Sequence, residues 1–212
     1  FADEVLGRIC MYWELISKRI RTNILQFSFA YLNDGSMGSY ALREASSFTY
    51  QLTKLNYLLC QAAAEKKNVF SVDINAVQNR IGSERFRDDK LYYMAKMPFS
   101  LEALPYIAAR TVDVIKALRG SIKKCVILDL DNTLWGGVIG DDGLDGIEIG
   151  ELGTGHAFSD FQMYLKELKK RGIILAVCSK NNEDTARLPF EKHPEMVLRL
   201  DDFAMFVANW QD

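Results

Sequence analysis

The sequence predicts an α/β protein of two parallel-sheet units. Two observations carry this. Short apolar runs alternate with stretches of helical periodicity, the pattern of parallel strands joined by crossover helices. The charge also changes sign along the chain. Residues 1–120 hold 16 Lys/Arg and 12 Asp/Glu, for +4, whereas residues 121–212 hold 10 and 16, for −6. The change falls at the polar turn Arg119-Gly120-Ser121, and 212 residues leave room for two small domains. The units are therefore placed at 1–120 and 121–212.

In the first unit, Val5, Leu6, Ile9, Trp13, Ile16 and Ile20 lie near helical spacing and predict a helix over 1–20. Ile24 to Phe29 reads as a strand, and Asn33-Asp34-Gly35-Ser36 as a turn. A long helix follows over 40–66, its Tyr and Phe residues packing a core. Val69 to Ile74 reads as a strand, 75–81 as a short helix and 83–99 as an irregular charged stretch. Ser100 reads as the N-cap of a helix running to about 118. In the second unit, Cys125 to Leu130 reads as a buried strand that runs into acids. A Gly- and acid-rich, hairpin-like segment reaches Gly155, with Asp141 and Asp142 as its turn residues. A helix over 157–171 ends at Gly172, Ile173 to Cys178 forms a second strand, and 183–190 is helical before a short tail over 196–210.

Composition excludes several classes. Apolar residues make up 49% and charged residues 25%, which excludes a disordered or low-complexity chain. A net charge of −2 gives no footprint for nucleic acid or an anionic membrane. No apolar run approaches the roughly 18 residues of a membrane span, and the opening FADEVLGRIC is not a signal peptide. Cys10, Cys60, Cys125 and Cys178 form no C-x-x-C pair, and their apolar contexts predict packing residues in a reducing, cytoplasmic setting.

The chemistry concentrates at Asp129-Leu130-Asp131-Asn132-Thr133-Leu134-Trp135-Gly136-Gly137. Ligands of parallel sheets collect beyond the carboxyl ends of the strands. Two acids at i and i+2 past a strand can supply a nucleophile and a proton carrier, and can attract a divalent cation. Ser179-Lys180, at the end of the neighbouring strand, add a hydroxyl and an ammonium for phosphate oxygens. This constellation predicts phosphoryl transfer.

Asp129-Leu130-Asp131-Asn132-Thr133 resembles the D-x-D-x-T motif of the haloacid dehalogenase (HAD) superfamily. The longer run DLDNTLWGGVIGDDG, with Ser179-Lys180-Asn181-Asn182 and Phe206-Val207-Ala208-Asn209-Trp210, resembles the FkbH-like branch of HAD subfamily IIIC. Upstream, Tyr93 to Ser100 looks like that family's linker, where an SGNH-hydrolase-like α/β domain precedes the HAD core. The resemblance implies two Rossmann-like domains, the second a capless core, since 133–179 is too short for a large cap. It implies Mg²⁺ as cofactor, held by Asp129 and Asp131. Asp129 would be the nucleophile, Asp131 the general acid/base, Thr133 a brace for the loop, and Ser179 the holder of the phosphoryl group. Trp135, Gly136, Ser179, Lys180 and Asn181 would contact substrate, with Trp135 to Gly140 forming a mobile turn beside the nucleophile.

The family's later Lys and acid motifs have no counterpart before Asp212; Asp201-Asp202 precede the segment that comes before them. The expectation is an incomplete HAD core from a longer protein, slow or inert as 212 residues alone. Residues 1–155 contain no His, so the first unit is expected to be a non-catalytic relative of SGNH hydrolases. The resemblance also implies transfer of a glyceryl unit from a phosphorylated three-carbon donor to an acyl carrier protein. Cys178 is the candidate thiol, against the plainer reading of a buried structural Cys. The Lys166, Lys169, Lys170 and Arg171 cluster reads as helix C-terminal charge that could also meet an acidic carrier. The alternatives are a simple small-molecule phosphatase and a docking module, with homo-oligomerisation left open.

Overall fold

The computed structural model of the chain describes residues 1–210. The two compact units are Phe1–Ser121 and Ile122–Asp212, Gln211 and Asp212 lying outside the described residues. Both are α/β with parallel strands, and neither sheet closes into a barrel.

In the first unit, α1 (Ala2–Arg19) carries Asp3 and Glu4 in its first turn and Lys18 and Arg19 in its last, matching the helix dipole. Its buried Trp13 donates from Nε1 to Gln26 Oε1 at 3.0 Å. Gln26 lies in β1 (Ile24–Phe27), which pairs in parallel with β2 (Val69–Val72) from Ile24 opposite Val69 to Phe27 opposite Val72. Between them runs α2 (Phe48–Ala64). It begins at Phe48 and not at residue 40, because the Ser47 hydroxyl accepts the Tyr50 amide at 3.1 Å and starts the helix there. Asp73 ends β2 by capping α3 (Ile74–Ile81), its carboxylate accepting the Ala76 amide at 3.1 Å. The stretch expected to be irregular holds two short helices, α4 (Ser83–Phe86) and α5 (Asp89–Ala95), the second capped by Asp88 through the Leu91 amide at 3.1 Å. In α6 (Leu104–Leu118), Pro105 sits in the first turn, and Ser100 holds the Ala103 amide at 3.1 Å one turn earlier.

In the second unit, β3 (Cys125–Leu128), β4 (Ile174–Ser179) and β5 (Met205–Ala208) form a parallel sheet with β4 in the middle. Residues 196–210 are therefore more than a tail, since they supply the third strand. The connections are α7 (Ile139–Gly146) and α8 (Gly155–Lys170) between β3 and β4, and α9 (Glu183–Lys192) before β5. α8 packs against β4 and α9 against β5. The expected hairpin turn at Asp141-Asp142 is instead helix. Asp142 Oδ2 accepts the Val138 amide at 2.7 Å, and Ile139 is buried in the core beside Trp135, Leu134 and Phe190. The hairpin-like element that does exist is the pair Gly136 and Glu148, which exchange both backbone hydrogen bonds at 2.9 and 2.8 Å. On the sheet's other face Ile127, Ile174, Met205 and Val207 are exposed.

Cys10 is half-buried and packs against the core of the first unit, as its apolar context suggests, whereas Cys60, Cys125 and Cys178 are exposed and are not packing residues. Among the described residues no helix is long and apolar enough to cross a membrane.

Candidate functional site

The register of the second sheet gathers the predicted residues. Leu128 lies opposite Val177 and Ser179 opposite Ala208, so β4 and β5 end at one level and β3 stops two residues short of it. At this edge Asp129 and Asp131 after β3, Cys178, Ser179 and Lys180 at the end of β4, and Val207 and Asn209 at the end of β5 line one open cavity of about 690 Å³. This is the edge where parallel sheets bind their ligands.

Asp129 is exposed, and its Oδ1 accepts the neighbouring Leu130 amide at 2.8 Å. The chain then turns sharply. The Thr133 and Leu134 amides both donate to the Leu130 carbonyl, at 3.0 and 2.8 Å, so Thr133 braces the turn through its backbone. Asn132 adopts φ +53°, a region Asn tolerates better than most residues, and its Oδ1 accepts the Gly137 amide at 3.0 Å. Gly137 has φ +90°, and a Cβ there would stand 2.6 Å from Asp142 Oδ2. The loop past the first acid is thus closed by its own polar groups and needs glycine at 137.

Asp131 is bound more firmly. Its Oδ1 accepts the Trp135 indole Nε1–H and the Ile139 amide, each at 3.0 Å, and its Oδ2 accepts from Asn181 Nδ2 at 2.9 Å. Trp135 and Asn181 therefore reach the site through Asp131. Trp135 is fully buried and Asn181 5% exposed, and neither lines the cavity. Gly136 is also buried, its backbone paired with Glu148 and a Cβ there only 3.0 Å from Phe158. Ser179 is buried at the cavity wall, with its carbonyl accepting the Asn209 amide at 3.2 Å. Cys178, read as a buried structural residue, is exposed and faces the same cavity, because strand alternation puts it on the open side of β4. Asn209 was not among the expected site residues. The signal was an apolar run, Phe206-Val207-Ala208, ending in a polar residue as the other two strands do.

Some candidates lie elsewhere. Lys169 donates to Asp202 Oδ1 at 2.7 Å and to the Asp201 carbonyl at 3.0 Å, and Lys170 pairs with Glu167 at 2.6 Å. Burial raises the proton affinity of Asp202, but the Lys169 hydrogen bond and the Arg199 amide outweigh it and hold the carboxyl below its ordinary range. Asp202 thus ties α8 to the segment before β5 through Lys169, away from the cavity.

The carboxylates of Asp129 and Asp131 and the Ser179 hydroxyl give the cavity hard oxygen donors, beside the softer Cys178 thiol. Among the described residues no three His, Cys, Asp or Glu side chains are grouped to hold a metal. Mg²⁺ does not require such a cage, since it is commonly held by one or two carboxylates with water and phosphate oxygens completing its shell. The Asp129 carboxylate, exposed at the cavity, is a donor of the type that requirement asks for.

A family model described as FkbH, N-terminal domain, matches residues 1–116. No curated protein matches the chain. Among solved structures the chain is similar to the N-terminal part of the protein BF1531 from Bacteroides fragilis, described as containing a phosphatase domain and complexed with Mg. The two are 45% identical with a TM-score of 0.88, and the match covers 99% of this chain and 56% of that one. The chain thus spans little more than half the length of that relative. Its first 116 residues carry the family's N-terminal domain, and its second unit places the D-x-D-x-T acids at a parallel strand end. The chain belongs to the FkbH-like family of the HAD superfamily.

Proposed function

We propose that the protein is a Mg²⁺-dependent HAD-type phosphoryl hydrolase or transferase with Asp129 as nucleophile. The observation that carries this is the contrast between the two acids. Asp129 is exposed to a cavity shared with Ser179 and Lys180, whereas Asp131 is pinned by three donors. A nucleophile must reach the phosphorus, and a proton carrier must stay in place. The solved relative, with its phosphatase domain and bound Mg, supports the same reading.

In this mechanism Asp129 attacks through Oδ2, Oδ1 being engaged by the Leu130 amide. The bond from phosphorus to the leaving oxygen breaks as the aspartyl phosphate forms. Asp131 gives the leaving oxygen its proton from Oδ2, the oxygen with one donor where Oδ1 has two. Water then attacks the aspartyl phosphate, Asp131 takes the proton back, and inorganic phosphate leaves. Ser179 and Lys180 bind the equatorial oxygens, and Thr133 keeps the loop closed. When bound at Asp129 and the Asp131 carbonyl, Mg²⁺ would neutralise phosphoryl charge. Residues 1–120 are assigned as an SGNH-hydrolase-like domain without catalytic function. The expected result is phosphate release by the intact protein with Mg²⁺ and its loss with a chelator; release unaffected by chelation would overturn the metal assignment.

The finer reading is a phosphorylated three-carbon acyl donor whose glyceryl unit passes to an acyl carrier protein. It is favoured over a plain phosphatase or a docking module by Cys178, an exposed thiol in the phosphate cavity. Cys178 Sγ would attack the carbonyl carbon of an acyl phosphate. The C–S bond forms, the C–O bond to phosphate breaks, and the thiol proton leaves with the phosphate. The carrier thiol would then take the acyl group. Incubation with 1,3-bisphosphoglycerate is expected to leave a thioester on the protein, phosphoglyceryl at first and glyceryl once the Asp129 step has hydrolysed the remaining phosphate ester, visible by mass spectrometry and absent in Cys178→Ala. An identical adduct in that variant would exclude Cys178.

A further inference from the structure

We propose that Trp135 and Asn181 are positioning residues that set the Asp131 carboxylate for proton transfer, an inference that rests on the phosphoryl-transfer reading above. Asp131 is gripped from separate parts of the chain. Trp135 Nε1 and the Ile139 amide take Oδ1 at 3.0 Å each, and Asn181, fifty residues further on, takes Oδ2 at 2.9 Å. Donors on both oxygens fix the position of the carboxyl plane and its rotation about the Cβ–Cγ bond. One donor would leave the group free to swing.

Each anchor is itself anchored. Trp135 is fully buried, edge-to-face with Phe190 at 5.6 Å, so its indole cannot follow a moving carboxylate. Asn181 is buried, and its Oδ1 accepts the Asn182 amide at 3.0 Å, which turns Nδ2 toward Asp131. Asn182 in turn caps α9 through the Asp184 and Thr185 amides at 3.1 and 3.4 Å. The position of Asp131 is thereby tied to the hydrophobic core on one side and to a helix start on the other. A proton donor held this way needs no reorganisation when the leaving oxygen arrives. The same pairs could simply brace the loop, and kinetics separate the two roles. A proton carrier matters most for a leaving group that cannot depart as an anion, whereas a loop brace affects every substrate equally.

The test compares glycerol phosphate, whose alkoxide must be protonated, with p-nitrophenyl phosphate, whose phenolate leaves unaided. In the intact protein with Mg²⁺, Asn181→Ala and Trp135→Phe are expected to lower kcat on glycerol phosphate about 10-fold, with KM unchanged and a loss of about twofold or less on p-nitrophenyl phosphate. Equal losses on both substrates, or a change in KM alone, would overturn the proposal. If the wild-type protein hydrolyses neither substrate, the phosphoryl-transfer reading fails instead. The anchoring is then decided by NMR on the indole N–H resonance that Trp135→Phe removes. Asp131→Ala is expected to shift that resonance and speed its exchange with solvent; an unmoved, equally protected resonance would refute the anchoring.

Discussion

Asp129→Asn is expected to lower phosphate release by the intact protein by about 10⁴-fold or more, since removing a nucleophile leaves only binding and electrostatic stabilisation. The carboxamide is the same size but cannot form the aspartyl phosphate. It should be tolerated by the fold. Asp129 is exposed, and its recorded structural task, accepting the Leu130 amide at 2.8 Å, can be done equally well by the Asn carbonyl oxygen. Activity should therefore collapse while the thermal midpoint stays put. The comparison is a phosphate-release assay beside a melting curve. Retention of a tenth of the wild-type rate would remove Asp129 from the nucleophile role. A fall in both rate and midpoint would mean that the acid holds the loop.

What could be read from the sequence depended on whether a segment's neighbours agree with its own propensity. Cys125 to Leu128 and Ile174 to Ser179 are apolar runs, and both are strands. Met205 to Ala208 is also a strand, with the same exposure pattern and the same single neighbour, β4, as Cys125 to Leu128. It lies in the apolar run Phe203 to Ala208, so the local signal for it was present in the sequence although the segment reads as a tail. Ile139 to Gly146 holds three glycines and three acids, which argues for a turn. It is helical because the Asp142 carboxylate satisfies the Val138 amide and Ile139 is buried in the core, and it kinks at Gly143, where φ is +68°. In the site, strand ends were legible because an acid or hydroxyl ends an apolar run. The partners of Asp131 were not. Asn181 meets it only through the pairing of β3 with β4, and spacing alone cannot distinguish a side chain facing substrate from one facing another side chain. Trp135 looks like a substrate contact beside Gly136, yet its ring completes the core.

Phe190→Ala is expected to be the most damaging of the stability changes in the second unit, at about 3–5 kcal/mol for a large-to-small substitution at a buried ring. The ring is 2% exposed and sits at the centre of an aromatic cluster, edge-on to Trp135 at 5.6 Å, Phe203 at 5.3 Å and Phe206 at 5.7 Å. Each such pair adds about 0.5–1.5 kcal/mol beyond area burial. The space left would be walled by rings from other segments, Trp135 in the loop after β3, Phe203 just before β5 and Phe206 in β5, so it can close only partly. Phe190→Leu, which leaves most of the apolar volume but loses the three ring pairs, should cost less, about 2–3 kcal/mol. Hydrogen exchange of the β4 and β5 amides reads the loss where it occurs, and protection should fall more in Phe190→Ala than in Phe190→Leu. Equal loss in the two variants would mean that the cavity is not what matters and that the ring contacts, lost in both, hold this core. The same variant also tests how the core reaches the chemistry. Trp135 gives one edge to Phe190 and its Nε1–H to Asp131. Loosening the first contact should therefore lower kcat on alkyl phosphates even at temperatures where Phe190→Ala remains folded.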